Sequence, residues 1–172
     1  MNHANRILIA AAICLALGAC TKAVKPTTST DTGPATTTGA STSPMAGTGK
    51  YRPEDLDSDS CLRQRVVYFD FNDDTLKPEF QATIACHAKY LRDRPEARMT
   101  LEGNADERGT REYNLGLGER RGNAVSAAVV GSGGSSSQMS VVSYGEERPT
   151  CADSTDQCWS KNRRVEIAYS VR

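Results

Sequence analysis

The sequence predicts an α/β two-layer sandwich, a β-α-β-α-β-β domain with helices on one face of a sheet. Two observations predict this class. Segments rich in β-branched and aromatic residues alternate with segments whose apolar residues recur at helical spacing. The last two predicted elements of the chain are both strands. The domain spans residues 51–172, about 120 residues, which is enough for one hydrophobic core.

The first two elements have clear local signals. Residues 66–71 are β-branched and aromatic and predict a strand. Pro78 is expected in the first turn of a helix that continues to about Arg92, since proline lacks the N–H that a first turn leaves unused. Pro95 ends this helix. One stripe of the helix is apolar: Phe80, Ile84, Ala88 and Leu91.

The second half of the domain repeats the pattern. Residues 98–102 alternate in polarity and predict a strand. Thr110 is expected to cap a long helix that reaches about Val130 and is stopped by the glycine-rich segment after it. Residues 139–144 and 164–169 predict the last two strands.

The first 19 residues predict an export signal that is removed. Arg6 supplies the positive start, and residues 7–17 form an apolar run. That run is about a dozen residues long, whereas a membrane-spanning helix needs about 20. The mature chain is therefore not expected to cross a bilayer as a helix.

The end of this signal is similar to the lipobox of bacterial lipoproteins. Residues 17–20 read LGAC, and cleavage before Cys20 would leave an acylated N-terminal cysteine. By the sorting rules that this resemblance implies, Thr21 favours the outer membrane. The alternative is a plain secretory signal followed by a chance cysteine.

Residues 20–50 are expected to form a lipidated, disordered tether. The segment is built from Thr, Ser, Ala, Gly and Pro, and cannot bury enough apolar surface to offset its ordering entropy. As a flexible coil it would average about 30 Å end to end. It would either link the membrane surface to a nearby structure through the domain or simply separate the domain from the lipid.

Cysteine positions predict two disulfides. Of six cysteines, Cys14 leaves with the signal and Cys20 carries lipid. An even number of cysteines in an exported domain favours disulfides, and the four that remain allow three connectivities. Locality favours pairing Cys151 with Cys158, which flank one loop, and therefore Cys61 with Cys86. A metal site is the alternative, but the C-x6-C spacing is not that of a zinc site.

Charge and residue types exclude several function classes. Basic and acidic side chains balance at 21 each, so nothing indicates nucleic-acid binding. His87 is the one histidine beyond the signal and is interpreted as structural or surface. Asp106 and Glu107 are adjacent and poorly placed to act as paired carboxylates on one glycosidic bond. No catalytic residue, cofactor or metal is expected.

One constellation is suited to binding a small zwitterion. Asp106 lies in the loop before the long helix, and Arg121 lies on the helix face shared by Asn114 and Leu117. Asp106 would hold an ammonium group, while Arg121 would bind a carboxylate through two parallel hydrogen bonds. The alternative is a solvated helix after a charged turn. If Arg121 faces a groove, its replacement by alanine should leave folding nearly intact, but in a buried ion pair the change would cost about 3–5 kcal/mol.

Six motifs in register carry a resemblance to a known family. They are residues 67–71 (VYFDF), 102–110 (EGNADERGT), 113–115 (YNL), 117–121 (LGERR), 142–145 (VSYG) and 161–166 (KNRRVE). Together they resemble the peptidoglycan-associated lipoproteins (Pal), outer-membrane lipoproteins with an OmpA-like domain. The resemblance covers about residues 60–170 and lies behind the lipobox and tether in the expected order.

The resemblance implies non-covalent binding of the peptidoglycan stem peptide, chiefly its diaminopimelate residue. Its main ligand contacts would be Asp106 and Arg121. Supporting positions match Phe71, Arg108, Asn114 and Leu117. Asn72 matches a further position of the pocket, where the family usually has Asp. This departure leaves two alternatives: a ligand hydrogen bond to Asn72, or one shifted to Asp70, Asp73 or Asp74. It often has His where Asn104 stands, which is expected to change little.

The resemblance also implies a place in the cell envelope. The domain would lie in the periplasm, anchored to the outer membrane through acylated Cys20, and would partner TolB and other Tol-Pal components. It would support envelope integrity and outer-membrane constriction during cell division. The alternatives are an OmpA-like wall anchor outside the Tol system and a peptidoglycan-modifying enzyme.

Overall fold

The computed structural model describes residues 49–171. The predicted export signal, acylated Cys20 and the tether up to residue 48 lie outside the described residues. No helix within the described part is both long enough and apolar enough to span a membrane.

Between residues 49 and 171 the chain forms a four-stranded sheet and four α-helices. The strands are β1 (Val66–Tyr68), β2 (Arg98–Asn104), β3 (Met139–Gly145) and β4 (Arg164–Val171). The helices are α1 (Asp55–Ser58), α2 (Gln81–Asp93), α3 (Arg111–Gly131) and α4 (Asp156–Asn162). Short 3₁₀ turns precede α2 and β3, at Pro78–Phe80 and Ser136–Gln138. The predicted α/β two-layer sandwich is confirmed.

The sheet is mixed, with strand order β1-β4-β2-β3. β4 lies antiparallel to both β1 and β2, while β2 and β3 are parallel. A parallel pair needs a crossover connection, and α3 supplies it by packing against β2 and β3. The carboxyl end of β2 and the amino end of α3 therefore lie at the same end of the sheet, joined by residues 105–110.

The amino end of α3 is set by a side-chain cap. Thr110 Oγ1 accepts a hydrogen bond of 3.2 Å from the backbone N–H of Tyr113, as the sequence predicts. The helix then approaches β2 so closely that two glycines face each other. A Cβ atom added at Gly103 would lie 1.9 Å from the carbonyl oxygen of Gly118, which no side chain tolerates.

Gly103→Ala is expected to lower the free energy of unfolding by about 3 kcal/mol, because α3 must move away from the sheet. Gly116→Ala is the matched control. A Cβ at Gly116 meets only Arg120 Nη1, at 3.5 Å, so alanine there should be neutral or stabilising by up to about 1 kcal/mol. Urea unfolding measures both. Equal effects at the two sites would contradict the close approach of α3 to β2.

The apolar stripe of α2 enters the core as predicted. Ile84, Ala88 and Leu91 have no exposed surface. His87 lies beside them, also with no exposed surface, which makes it a structural residue. Its Nε2–H donates to the carbonyl oxygen of Gln64 at 3.0 Å, and Nδ1 accepts from the Tyr169 hydroxyl at 2.9 Å. Burial lowers the pKa of His87 to about 4.

This buried histidine predicts a pH-dependent loss of stability. Between pH 6.5 and 4 the unfolded chain binds a proton at His87 that the folded chain does not, so acidification favours unfolding. The loss attributable to His87 should reach about 2 kcal/mol between pH 7.5 and pH 5. Urea unfolding of the wild type and His87→Gln at both pH values measures it. If the two proteins lose equal stability, His87 is not the titrating group.

The structure corrects the limits of several elements. β1 ends at Tyr68 and not at residue 71, because after one further bond, from the Phe69 N–H to the Arg163 carbonyl, the chain turns away from the sheet. β2, β3 and β4 run one to two residues longer than predicted, to Asn104, Gly145 and Val171. α1 and α4 were missed, since four and seven residues are too few to display helical periodicity.

Both disulfides have the pairing that chain locality predicts. Cys61 is bonded to Cys86 and joins the segment before β1 to α2. Cys151 is bonded to Cys158 and closes the loop that leads into α4. All four sulfurs are therefore held in disulfides, and the metal alternative for these cysteines is excluded.

Candidate ligand-binding pocket

A pocket of about 310 Å³ opens where the loop after β2, the amino end of α3 and the segment after β1 converge. Its lining contains all seven residues that the sequence predicts for the site, together with Gly109, Tyr113 and Arg163. The seven are Phe71, Asn72, Asp106, Arg108, Asn114, Leu117 and Arg121. Two positive φ angles shape the pocket, 55° at Asn72 and 121° at Gly109. The left-handed backbone at Gly109 suits glycine, which carries no Cβ.

Asp106 is the buried carboxylate of this pocket, with 3% of its surface exposed. Arg108 donates to both of its oxygens, from Nε at 3.2 Å and from Nη2 at 2.7 Å. Arg163 adds a bond of 3.1 Å from Nη1. Burial alone would raise the pKa of Asp106, but the hydrogen bonds from Arg108 and Arg163 outweigh it and the pKa is lowered. Asp106 is therefore ionised at neutral pH.

Arg121 forms the floor of the pocket and has no exposed surface. Its guanidinium donates to three backbone carbonyl oxygens: Asp73 at 2.8 Å, Asn104 at 2.8 Å and Asp70 at 3.0 Å. These bonds join the segment after β1 to the end of β2. Of the two environments that the sequence allows, the structure favours the buried anchor, with carbonyl oxygens as the partners.

The charge of Arg121 persists in this setting. Burial, and secondly the neighbouring Arg163, lower the pKa of Arg121 to about 10. That value is well above 7, so the guanidinium stays protonated at neutral pH. Three of its five N–H groups are used by carbonyls, and two remain for other acceptors. A direct contact between Arg121 and a ligand stays a prediction.

The charged groups of the lining are three guanidiniums and one carboxylate. Arg108, Arg121 and Arg163 surround Asp106, which gives the lining a formal charge of +2. Sequence reasoning missed Arg163 as a site residue. The available signal was its place in the motif of residues 161–166, because β4 begins directly beside the pocket and the residue before it points toward Asp106.

Apolar and amide groups complete the rim. Phe71 is 57% exposed, Tyr113 is 45% exposed, and the Tyr113 hydroxyl donates to Asn72 Oδ1. Asn114 Nδ2 donates to Glu146 Oε2, while the buried Asn114 Oδ1 has no hydrogen-bond partner among the described residues. That oxygen lacks the partner that a buried polar atom usually has, which makes it a candidate acceptor for a ligand N–H.

Residue 72 is Asn where the family usually has Asp, and the structure shows which of the neighbouring side chains lies in the pocket. Asn72 itself lines the pocket, whereas none of the three aspartates offered as substitutes does. Asp70 pairs with Lys77 at 2.7 Å, and Asp74 pairs with Arg120 at 3.0 Å. Asp73 accepts from the backbone N–H of Thr75 at 2.8 Å. The structure therefore favours Asn72 over the three aspartates, and a hydrogen bond between its amide and a ligand stays a prediction.

Comparison with known proteins identifies the family. The model of the OmpA family matches residues 68–163. The peptidoglycan-associated lipoprotein of Pseudomonas putida is 44% identical over 133 residues, which cover 75% of this chain and 80% of that protein. The peptidoglycan-associated lipoprotein of Mesorhizobium japonicum is 33% identical over 166 residues, covering 96% of this chain and 92% of the relative.

Solved structures agree with the sequence matches. The crystal structure of the peptidoglycan-associated lipoprotein from Burkholderia pseudomallei is 40% identical and superposes with a TM-score of 0.66, covering 67% of this chain and 98% of the other. The C-terminal domain of MotB from Helicobacter pylori, at 22% identity and a TM-score of 0.56, shares the fold; it covers 62% of this chain and 83% of that one. This chain belongs to the OmpA family and, within it, to the peptidoglycan-associated lipoproteins.

Proposed function

We propose that this chain is an outer-membrane lipoprotein that binds the diaminopimelate residue of the peptidoglycan stem peptide without forming a covalent bond. The observation that carries the proposal is the pocket, in which a buried carboxylate lies among three guanidiniums. The names of the relatives, peptidoglycan-associated lipoproteins, support the same ligand.

The chemistry of the ligand suits the charges of the pocket. Diaminopimelate presents a free amino-acid end, with an ammonium group and a carboxylate on one carbon. Asp106 accepts from the ammonium, and the guanidiniums of Arg108 and Arg163 donate to the carboxylate. Asn114 Oδ1 accepts a further ligand N–H. A formal charge of +2 in the lining favours a ligand with more carboxylates than ammonium groups.

The proposed domain organisation turns this binding into a tether. Residues 1–19 are removed, Cys20 is acylated, residues 20–50 span the distance from the membrane, and residues 51–172 bind the wall from the periplasmic side. The domain then links the outer membrane to peptidoglycan. The function is binding and not catalysis, in line with the names of the relatives, none of which is that of an enzyme.

The proposed cellular role is that of the Tol-Pal system, with TolB as a partner, in envelope integrity and constriction during division. This part rests on the family resemblance. Affinity capture of TolB by the full chain from detergent-solubilised envelopes tests it. A wall-binding chain that captures no Tol protein would be an anchor outside that system.

Co-sedimentation with purified diaminopimelate-type peptidoglycan tests wall binding itself. The full chain, purified in detergent, should sediment with peptidoglycan, and Asp106→Ala should stay in the supernatant. Glu119→Ala is the control, because it also removes one carboxylate but lies exposed on α3 outside the pocket lining. Failure of the wild type to sediment would remove the proposed function.

A further inference from the structure

α4 brings an aromatic side chain with no assigned role against Arg108, a residue of the pocket lining. Trp159 is the only tryptophan of the chain and is half-buried. It follows Cys158 directly, so the Cys151–Cys158 disulfide holds the turn of helix from which it projects. It is not among the residues that the sequence or the family resemblance assigns to ligand binding.

Trp159 contacts the loop after β2 at two neighbouring residues. Its indole Nε1 donates to Glu107 Oε1 at 3.0 Å. Its ring lies 4.0 Å from the guanidinium carbon of Arg108, measured to the ring centroid. The Phe71 ring lies 3.9 Å from the same carbon. The Arg108 guanidinium thus contacts two aromatic rings, which restricts where its donors can point.

The donors of Arg108 point at Asp106. In the described structure Arg108 binds both oxygens of that carboxylate, the group proposed to hold the ammonium of the ligand. A ligand ammonium must therefore displace at least part of this pairing. A guanidinium kept between two rings stays at the mouth when displaced, where a carboxylate on the same ligand carbon comes within reach.

We infer that Trp159, held by the Cys151–Cys158 disulfide, is a positioning residue that keeps Arg108 at the pocket mouth to receive the carboxylate of the ligand. The inference rests on the proposed function, since it concerns the same ligand and pocket. It adds α4 and its disulfide to the binding machinery.

The other disulfide, Cys61–Cys86, provides a matched control, because neither of its cysteines lines the pocket. Cys151→Ser/Cys158→Ser should weaken ligand binding at least about threefold, because Trp159 loses its support. Cys61→Ser/Cys86→Ser should lower the melting temperature and leave the dissociation constant unchanged at a temperature where the protein is folded.

A double-mutant cycle tests the inference directly. The probe is a soluble stem peptide ending in diaminopimelate, titrated by calorimetry into the full chain in detergent. Trp159→Ala should weaken binding about 5- to 30-fold, and Trp159→Phe, which keeps an aromatic ring, should restore most of the affinity. In an Arg108→Ala background, Trp159→Ala should have almost no further effect, since it acts through Arg108.

The outcomes separate the inference from the proposed function. If the wild type binds the peptide but the effects of the two alanine substitutions simply multiply, or Trp159→Ala binds as the wild type does, the positioning role is wrong and wall binding stands. If the wild type does not bind, both fail. Tryptophan fluorescence gives an independent signal, because the sole indole contacts Arg108 of the pocket lining and its emission should change on titration.

Discussion

Arg121→Ala is expected to lower the free energy of unfolding by about 3–5 kcal/mol. The substitution leaves three backbone carbonyl oxygens without their donors and opens a cavity under the pocket. Those carbonyls belong to Asp70, Asp73 and Asn104, so the segment after β1 also loses its link to the end of β2. Urea unfolding at pH 7 measures the loss.

Two further variants separate the causes. Arg121→Met keeps most of the side-chain volume and removes every donor, so a loss close to that of alanine assigns the effect to the hydrogen bonds. Arg121→Lys keeps the charge but cannot reach three carbonyls with one compact ammonium, and should be intermediate. A loss below about 1 kcal/mol for alanine would contradict the anchor and return Arg121 to a groove-facing position.

Asp106→Asn should reduce affinity for diaminopimelate-type peptidoglycan by at least about 100-fold, which corresponds to roughly 2.7 kcal/mol or more. The amide has nearly the shape of the carboxylate but carries no charge. It leaves Arg108 and Arg163 without their shared counter-ion and offers the ligand ammonium only a neutral acceptor. Co-sedimentation across a range of protein concentrations measures the change.

The ionisation of Asp106 adds a pH criterion. Because the pKa of Asp106 is lowered from its ordinary value of 3.8, the carboxylate stays charged throughout the range from pH 8 to pH 5. Binding to peptidoglycan should therefore be constant across that range and weaken only below it. Wild-type affinity for Asp106→Asn, with the protein shown to be folded, would mean that the ligand is held elsewhere.

Helices and strands that carry a local sequence pattern could be predicted from the sequence. Helical spacing in α2, the Thr110 cap of α3 and the β-branched runs identify the main elements, because each is a local signal. The seven site residues also meet in one pocket, since the family motifs that contain six of them, and Asn72 directly after the first motif, follow β1 and β2 or lie in the first half of α3.

Features that depend on contacts between distant segments could not be predicted from the sequence. Arg121 is buried because two distant segments supply carbonyl oxygens to its guanidinium, and the residues around position 121 carry no sequence signal for these partners. The position of Trp159 beside Arg108 depends on α4, whose seven residues carry no periodic signal. The early end of β1 likewise depends on its partner strand, because Tyr68 pairs with Arg164, the first residue of β4.

Recognition of the free amino-acid end of diaminopimelate by the pocket is tested most directly by co-sedimentation with two purified walls. One wall has diaminopimelate in the stem peptide, and the other has lysine, which lacks the side-chain carboxylate. We expect the full chain to sediment with the first wall and to stay in solution with the second, and free diaminopimelate to compete for binding. Equal sedimentation with both walls would contradict recognition of the zwitterion.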